Sequence, residues 1–390
     1  MVQTENYQIC NRCIIDSSVP GASFDNECIC NFCHLQDKME TQYPNDERGQ
    51  AILQKWVNKI KKSGSGRKFD CVAGISGGRD STYSLYYIVK ILGLRPLAVH
   101  FNNGFGNPTA GENMVKVCKR LGVELRTITS DWRESKDIRI AFLKASTPDT
   151  ETGTDLGIAT SLYGVAVKES VQYILIGQSF RTEGICPLAW NYLDGKYLKS
   201  VHKKFGTVPL RPWKPDDPGF NLGIKEMLYY TLVKRIKTVP ILYYVDYIRK
   251  NVDEFLIKEL EWVNPGAHWF DDLYQSLTTH VLRIKFGINR RVYCYSALVR
   301  SEQMTREEAL EKSKLPYSIE DPKIIDLCIK RLGYKKEEFE EILKEKPKFF
   351  TAYPSNYRLI MKSRIPIWVM AQLNLLPKSA YDKYFNCGKY

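Results

Sequence analysis

The chain has 390 residues, a net charge of +13 and 44% hydrophobic residues. That length admits two or three domains with a sizeable core. The excess of Lys and Arg calls for anionic partners, nucleic acid or phosphorylated metabolites, without choosing between them. No membrane span is expected, because no apolar run reaches the roughly eighteen residues that one needs, and the best, residues 365–376, is broken by Gln372 and Asn374.

The N-terminus, MVQTENYQIC, is polar and has no apolar signal-peptide core. Together with eleven cysteines this predicts a reducing, cytoplasmic setting with free or metal-bound thiols. Five of those cysteines fall in residues 1–50, the predicted first domain. Cys10-x-x-Cys13 and Cys30-x-x-Cys33 stand sixteen residues apart, within the zinc-ribbon range. Two Cys-x-x-Cys knuckles can offer four thiolates to one tetrahedral Zn²⁺, a closed and therefore structural site. An iron–sulfur centre is the other occupant. Cys28 and His34 are left outside the quartet, since Cys28 could replace Cys30 only by an awkward change of register.

A polar stretch, residues 41–49, leads into a helix expected through Ile60. Residues 61–68, KKSGSGRK, read as a flexible basic linker ahead of a nucleotide domain over residues 51–217. From residue 69 the pattern alternates strand and helix. Strands are predicted at 69–75, 95–102, 123–129 and 172–178, with a fifth at 207–211. Helices are predicted at 108–122, 132–145 and 155–171. This is an α/β class with a doubly wound parallel sheet, whose ligands bind at the carboxyl ends of the strands.

The first strand runs into Ser76, Gly77 and Gly78, and Asp80, Ser81 and Thr82 open the next helix. A strand, a turn with almost no side chains and a helix N-terminus make an anion site: converging N–H groups and the helix dipole attract phosphate. No Walker A pattern is present. The order S-G-G-R-D-S instead resembles the pyrophosphate loop of the PP-loop ATPases, with Arg79 where that family more often has Lys. The resemblance implies ATP cleaved between the α and β phosphates. It implies a serine and glycines holding pyrophosphate, and Asp80 helping to place Mg²⁺. It also makes Val99, His100 and Phe101 candidates for adenine contact.

Two further strand ends carry polar clusters. Gly153-Thr154-Asp155 caps a helix, and Asp155 is a candidate Mg²⁺ ligand. In the run 177–184, GQSFRTEG, Gly177 and Gln178 are candidate ATP-binding positions, and Gly177 lets a phosphate or ribose approach. Arg181 is read as stabilising charge on the α-phosphate, and Glu183 as orienting a metal or accepting a proton. No second Cys-x-x-Cys accompanies them, and Cys186 alone lies near the crevice, which disfavours sulfur transfer.

Beyond Pro218 amphipathic stretches at 222–237, 241–260, 305–313, 323–332 and 336–344 predict a mainly helical region over residues 218–390. Weak substrate candidates there are Trp262 and His268, in WVNPGAHWFDD, with Arg290 and Arg291 as anion contacts.

Taken together, C-x-x-C-I-I-D, F-D, the second C-x-x-C, S-G-G-R-D-S-T, G-T-D, G-Q-S-F-R-T-E-G, P-G-x-H and T-R-E-E-A-L cover most of the chain. The whole resembles the N-acetyl sugar amidotransferases of the WbpG/PseA type. That resemblance implies an ATP-dependent, AMP-forming enzyme that turns an acetamido sugar into an acetamidino sugar for bacterial surface glycans such as O-antigen. It implies ATP, Mg²⁺ and ammonia from partners resembling the glutaminase and cyclase subunits of imidazole glycerol phosphate synthase. Two other readings stand beside it. One is a tRNA-modifying PP-loop enzyme; the other is a non-catalytic zinc-ribbon scaffold.

Overall fold

The computed structural model describes residues 7–266, 270–376 and 378–385. Five short strands form its centre: β1 (Cys71–Gly74), β2 (Pro96–Asn102), β3 (Leu125–Thr129), β4 (Tyr173–Ile176) and β5 (Lys237–Pro240). They lie in the order β3-β2-β1-β4-β5 and every pairing is parallel. The chain winds outward from β1 to β3, then returns to β4 on the other side of β1. The strand order therefore reverses between β1 and β4, where a ligand crevice opens.

Strand alternation divides the core in two. Cys71 and Ala73 pack with Leu85, Ile88 and Val117 on one face, and Val72 packs with Leu97, Leu162 and Ala166 on the other. The covering helices follow from the sequence pattern. α1 (Asn31–Gln42) and α2 (Glu47–Gly64) precede the sheet. α3 (Arg79–Tyr86) and α4 (Pro108–Leu121) follow β1 and β2, and α4 has Pro108 in its first turn and Gly122 in the left-handed cap position. α5 (Trp132–Ala145) and α6 (Thr152–Lys168) lie between β3 and β4.

Three expectations are corrected. Residues 207–211 are not the fifth strand, because their N–H groups are taken by carboxylates of α5. Thr207 and Val208 donate to Asp137 at 2.8 and 3.0 Å, and Arg211 donates to Glu134 at 2.8 Å. The fifth strand is β5, four residues long and beyond residue 217, at the break between two stretches read as helical in a region expected to be mainly helical. Residues 61–68 are not a free linker. α2 continues through Gly64, whose carbonyl accepts from Arg95 at 3.0 Å, while Asp70 pairs with the same guanidinium at 2.7 Å.

After β4 come α7 (Phe180–Glu183), α8 (Gly195–Phe205) and α9 (Ile224–Leu228), with β5 next. The remainder is helical. It comprises α10 (Arg249–Leu260), α11 (Tyr274–Phe286), α12 (Arg291–Arg300), α13 (Arg306–Lys314), α14 (Pro322–Leu332), α15 (Lys336–Lys344), α16 (Tyr357–Lys362), α17 (Arg364–Gln372) and α18 (Lys378–Phe385). None of the described helices is long and apolar enough to cross a membrane.

Candidate active site

A cavity of about 300 Å³ opens at the carboxyl ends of β1, β2 and β4. Ser76, Gly78, Arg79, Asp80 and Ser81 line it from the loop, Val99, His100 and Phe101 from β2, and Gly177, Gln178 and Glu183 from the β4 end. The crevice thus gathers most of the predicted ATP-binding positions. Gly77 and Thr82 are not part of its lining, and Thr82 is buried. Gly77 adopts φ +81°, and a Cβ there would stand 2.0 Å from the Ala110 carbonyl oxygen. Its own carbonyl accepts from Trp262 Nε1 at 2.9 Å and Asn113 Nδ2 at 3.2 Å, which fixes the turn. Gly177 is required for a different reason: a Cβ there would stand 2.8 Å from the Asp80 carbonyl oxygen, so α3 could not pack against the β4 end.

Opposed carboxylates dominate the electrostatics. Asp80 accepts from Tyr247 Oη and is hydrogen-bonded to Glu183. Burial first, and then Asp80, push the Glu183 carboxyl well above its ordinary range. Asp271 is bonded to Ser76 and raised by burial. Asp272 accepts from Asn103 Nδ2 at 2.5 Å and is pushed up to about 6 by burial. On β2, burial draws His100 down. Such a set favours a bound cation. Among the described residues only the cysteine quartet brings three or more metal-ligand atoms together, so the carboxylates are no all-protein cage. Mg²⁺ needs none: one or two carboxylates with phosphate oxygens and waters complete its shell. Asp80, Glu183 and Asp271 fit that donor set.

Of the other predicted residues, Arg79 and Trp262 reach the crevice but are engaged by partners, and the rest lie elsewhere. Arg79 reaches the crevice rim but pairs through two nitrogens with Asp253 of α10. Arg181 is buried behind the β4 end, bonded to Glu40 and to the Tyr43 and Tyr243 carbonyls at 2.7 and 2.8 Å. With its guanidinium nitrogens held there, it does not line the crevice. Asp155 sits behind Thr154, accepting from Asn191 at 3.1 Å, and burial raises its carboxyl. Trp262 is buried and braces the loop, so its ring is no open platform for a sugar. Arg291 is held by the carbonyls of Lys312, Ser313 and Leu315 at 2.7–3.1 Å. Arg290 is bonded to Gln275 at 2.5 Å, away from the crevice lining. His268 lies outside the described residues.

Sequence reasoning missed Asp271, Asp272, Tyr247 and Asp253. The signal for the first two is the acidic pair closing WVNPGAHWFDD, a run whose aromatics are its more conspicuous feature.

The cysteine quartet is a second centre. Sγ–Sγ distances are 3.7 Å for Cys10–Cys33 and 3.6 Å for both Cys13–Cys30 and Cys30–Cys33. A tetrahedron with metal–sulfur bonds near 2.3 Å has edges of about 3.8 Å, so the quartet fits Zn²⁺. Backbone N–H groups of Cys13, Ile15 and Cys30 point at the sulfurs at 3.2–3.5 Å. The Cys13 thiol is raised by Cys10, but contacts with Cys30 and Cys33 and the Arg300 charge draw it down, to about 6. All four residues are buried, so the site has no face for substrate. Arg306 of α13 reaches the Cys10 and Cys13 carbonyls at 2.9–3.1 Å, and Ile14 N–H donates to Ser296 of α12 at 3.2 Å. The ribbon thereby docks on the C-terminal helices.

Those helices carry the family signal. Residues 250–364 match the family described as LPS biosynthesis protein WbpG-like, C-terminal domain. The chain thus has a segment similar to a WbpG-like C-terminal domain beside a parallel α/β sheet. That segment supplies Asp253 to Arg79, Trp262 to Gly77, Asp271 to Ser76 and Asp272 to Asn103. The segment that matches this family therefore completes the crevice.

The uncharacterized protein MJ1599 of Methanocaldococcus jannaschii is 27% identical over 318 residues, 80% of this chain and 95% of that protein. U34-tRNA thiolase NcsA from Methanococcus maripaludis, solved with its [4Fe-4S] cluster, is 14% identical, with TM-score 0.32 over 71% of this chain and 88% of its own. The NH3-dependent NAD synthetase from Campylobacter jejuni is 14% identical, with TM-score 0.32 over 69% of this chain and 97% of its own. These two structural likenesses are distant and carry no argument about the reaction.

Proposed function

We propose that this chain is an ATP-dependent, AMP-forming amidotransferase acting on an N-acetyl sugar. The carboxylate-walled crevice built by the Ser76–Gly77–Gly78 turn, Asp80, Glu183 and Asp271 is the observation that carries the reading.

The turn and the α3 N-terminus bind the β and γ phosphates of ATP. Val99, His100 and Phe101 flank the adenine. Mg²⁺, held by Asp80 with Asp271 or Glu183, would neutralise charge on the leaving pyrophosphate. The acetamido oxygen attacks the α-phosphorus, forming the O–P bond as the bond to pyrophosphate breaks. Glu183 takes the acetamido N–H proton in that step. Ammonia then adds to the imidate carbon, its C–O bond breaks, and the acetamido oxygen departs with AMP. The amidino sugar keeps the new nitrogen.

The chain has no recognisable glutaminase motif of its own, so ammonia is assigned to a glutaminase with a cyclase-like subunit. Zn²⁺ in the cysteine quartet holds the N-terminal ribbon and takes no part in the chemistry. The test is mass spectrometry after incubation with ATP, Mg²⁺, ammonium and a panel of nucleotide-linked acetamido sugars. One acceptor should lose about one mass unit, the exchange of O for NH, with AMP formed in step. Turnover of a tRNA and of no sugar would replace this reading by the tRNA-modifying one.

A further inference from the structure

The end of the chain exposes an apolar face. Ile365 is 75% exposed, Leu373 60%, Leu359 54%, Trp368 48% and Val369 41%. Ile365, Trp368, Val369 and Leu373 recur at i, i+3, i+4 and i+8, so they share one side of α17. In that helix only Ala371 is buried. A continuous apolar face of this kind marks a binding surface rather than scattered exposure.

Charge identifies the occupant. Between Glu345 and Asp382 the sequence has no acidic residue, while Lys346, Lys348, Arg358, Lys362, Arg364 and Lys378 all fall there. Arg358, Lys362 and Arg364 are exposed on α16 and at the start of α17, beside the apolar face. A second copy of the chain would bring two basic collars together, which opposes self-association. An anionic bilayer satisfies both features: Trp and Leu settle at the headgroup–acyl boundary while Lys and Arg meet phosphates.

We propose that α16 and α17 form an interfacial anchor that lays this protein on an anionic lipid surface. The helix lies on the bilayer and does not span it, since α17 has 9 residues.

Flotation of the full chain with vesicles tests this. Vesicles of phosphatidylglycerol and phosphatidylethanolamine should carry the protein upward, and pure phosphatidylcholine vesicles should not. Trp368→Glu with Leu373→Glu should abolish flotation. Arg358→Gln with Lys362→Gln should weaken vesicle binding on the order of 25-fold, at roughly fivefold for each basic group. Both variants alter exposed side chains, so thermal unfolding and ATP-dependent turnover of a water-soluble substrate should stay at the wild-type level. Failure of the wild-type chain to float with anionic vesicles would overturn the proposal. So would undiminished flotation of the Trp368/Leu373 variant, or a dimer in sedimentation that the same variant splits.

Discussion

The indole N–H of Trp262 donates to the carbonyl of Gly77 at 2.9 Å, joining the segment of residues 250–364 to the Ser76–Gly77–Gly78 turn. Gly77 is held in a left-handed conformation, with Ala110 so close that no side chain fits. Trp262 therefore braces a peptide that glycine alone leaves free to move. Trp262→Phe keeps the buried ring and removes the donor, an omission worth about 1–3 kcal/mol at a buried acceptor. The bond from Asn113 remains, so the fold should survive while KM for ATP rises several-fold. ATP titration of turnover in the variant, read beside its unfolding curve, checks both parts.

Asp80→Asn keeps the side chain's shape and removes its charge. Turnover should fall on the order of 10²–10³-fold, the loss typical when an electrostatic contact to the reacting group is removed. Tyr247→Phe, which deletes only the hydroxyl bonded to Asp80, should cost less. Asp271→Asn should raise the Mg²⁺ concentration needed for half-maximal rate more than it lowers kcat. Rate measurements across a Mg²⁺ series separate the three variants.

Much of this site was legible because its determinants are local. The glycine turn, Asp80 at a helix start and Gly177 at a strand end each lie within a few residues of the element that positions them. The two Cys-x-x-Cys knuckles were legible for the same reason. Arg181 misled because its sequence neighbourhood is the crevice, while its charge partners, Glu40 and the Tyr43 and Tyr243 carbonyls, come from distant segments. Asp271 and Asp272 are readable as an acidic pair but not as site residues, because their partners Ser76 and Asn103 are far away in the chain. β5 was missed because four residues ending in Pro240 carry too little periodicity to distinguish a strand from a helix.

Zinc content should be about one ion per chain, and Cys10→Ala should lower it with a loss of stability, because metal binding and folding of the ribbon are coupled. Arg306 and Ser296 tie the ribbon to the C-terminal helices, so the loss should extend beyond the first fifty residues. Elemental analysis and hydrogen exchange across α12 and α13 read the two effects. Iron in place of zinc would assign the quartet to the other occupant.

Stability should depend on pH through Asp149. Burial pushes its carboxyl up to about 7 while Tyr192 N–H and Tyr197 Oη bond it at 2.6 and 2.9 Å. Its folded value lies above its unfolded one. Its stabilising contribution is therefore complete below about pH 4 and lost as pH rises towards 7. Asp149→Asn, which can keep both bonds without a charge, should flatten the fall in Tm between pH 5 and 8. An unchanged slope would place the titration elsewhere.

The isolated chain should use free ammonium and ignore glutamine, and a glutaminase with a cyclase-like subunit should restore glutamine use. Initial rates with each nitrogen source, with and without the partners, distinguish the cases. Efficient use of glutamine by this chain alone would remove the need for partners.

The most direct measurement follows the oxygen. An acceptor sugar whose acetamido oxygen is ¹⁸O, incubated with ATP, Mg²⁺ and ammonium, should yield AMP carrying the label in its phosphate, with pyrophosphate unlabelled. Unlabelled AMP, or ADP and phosphate as the products, would contradict adenylation of the acetamido oxygen in the crevice of Asp80 and Glu183.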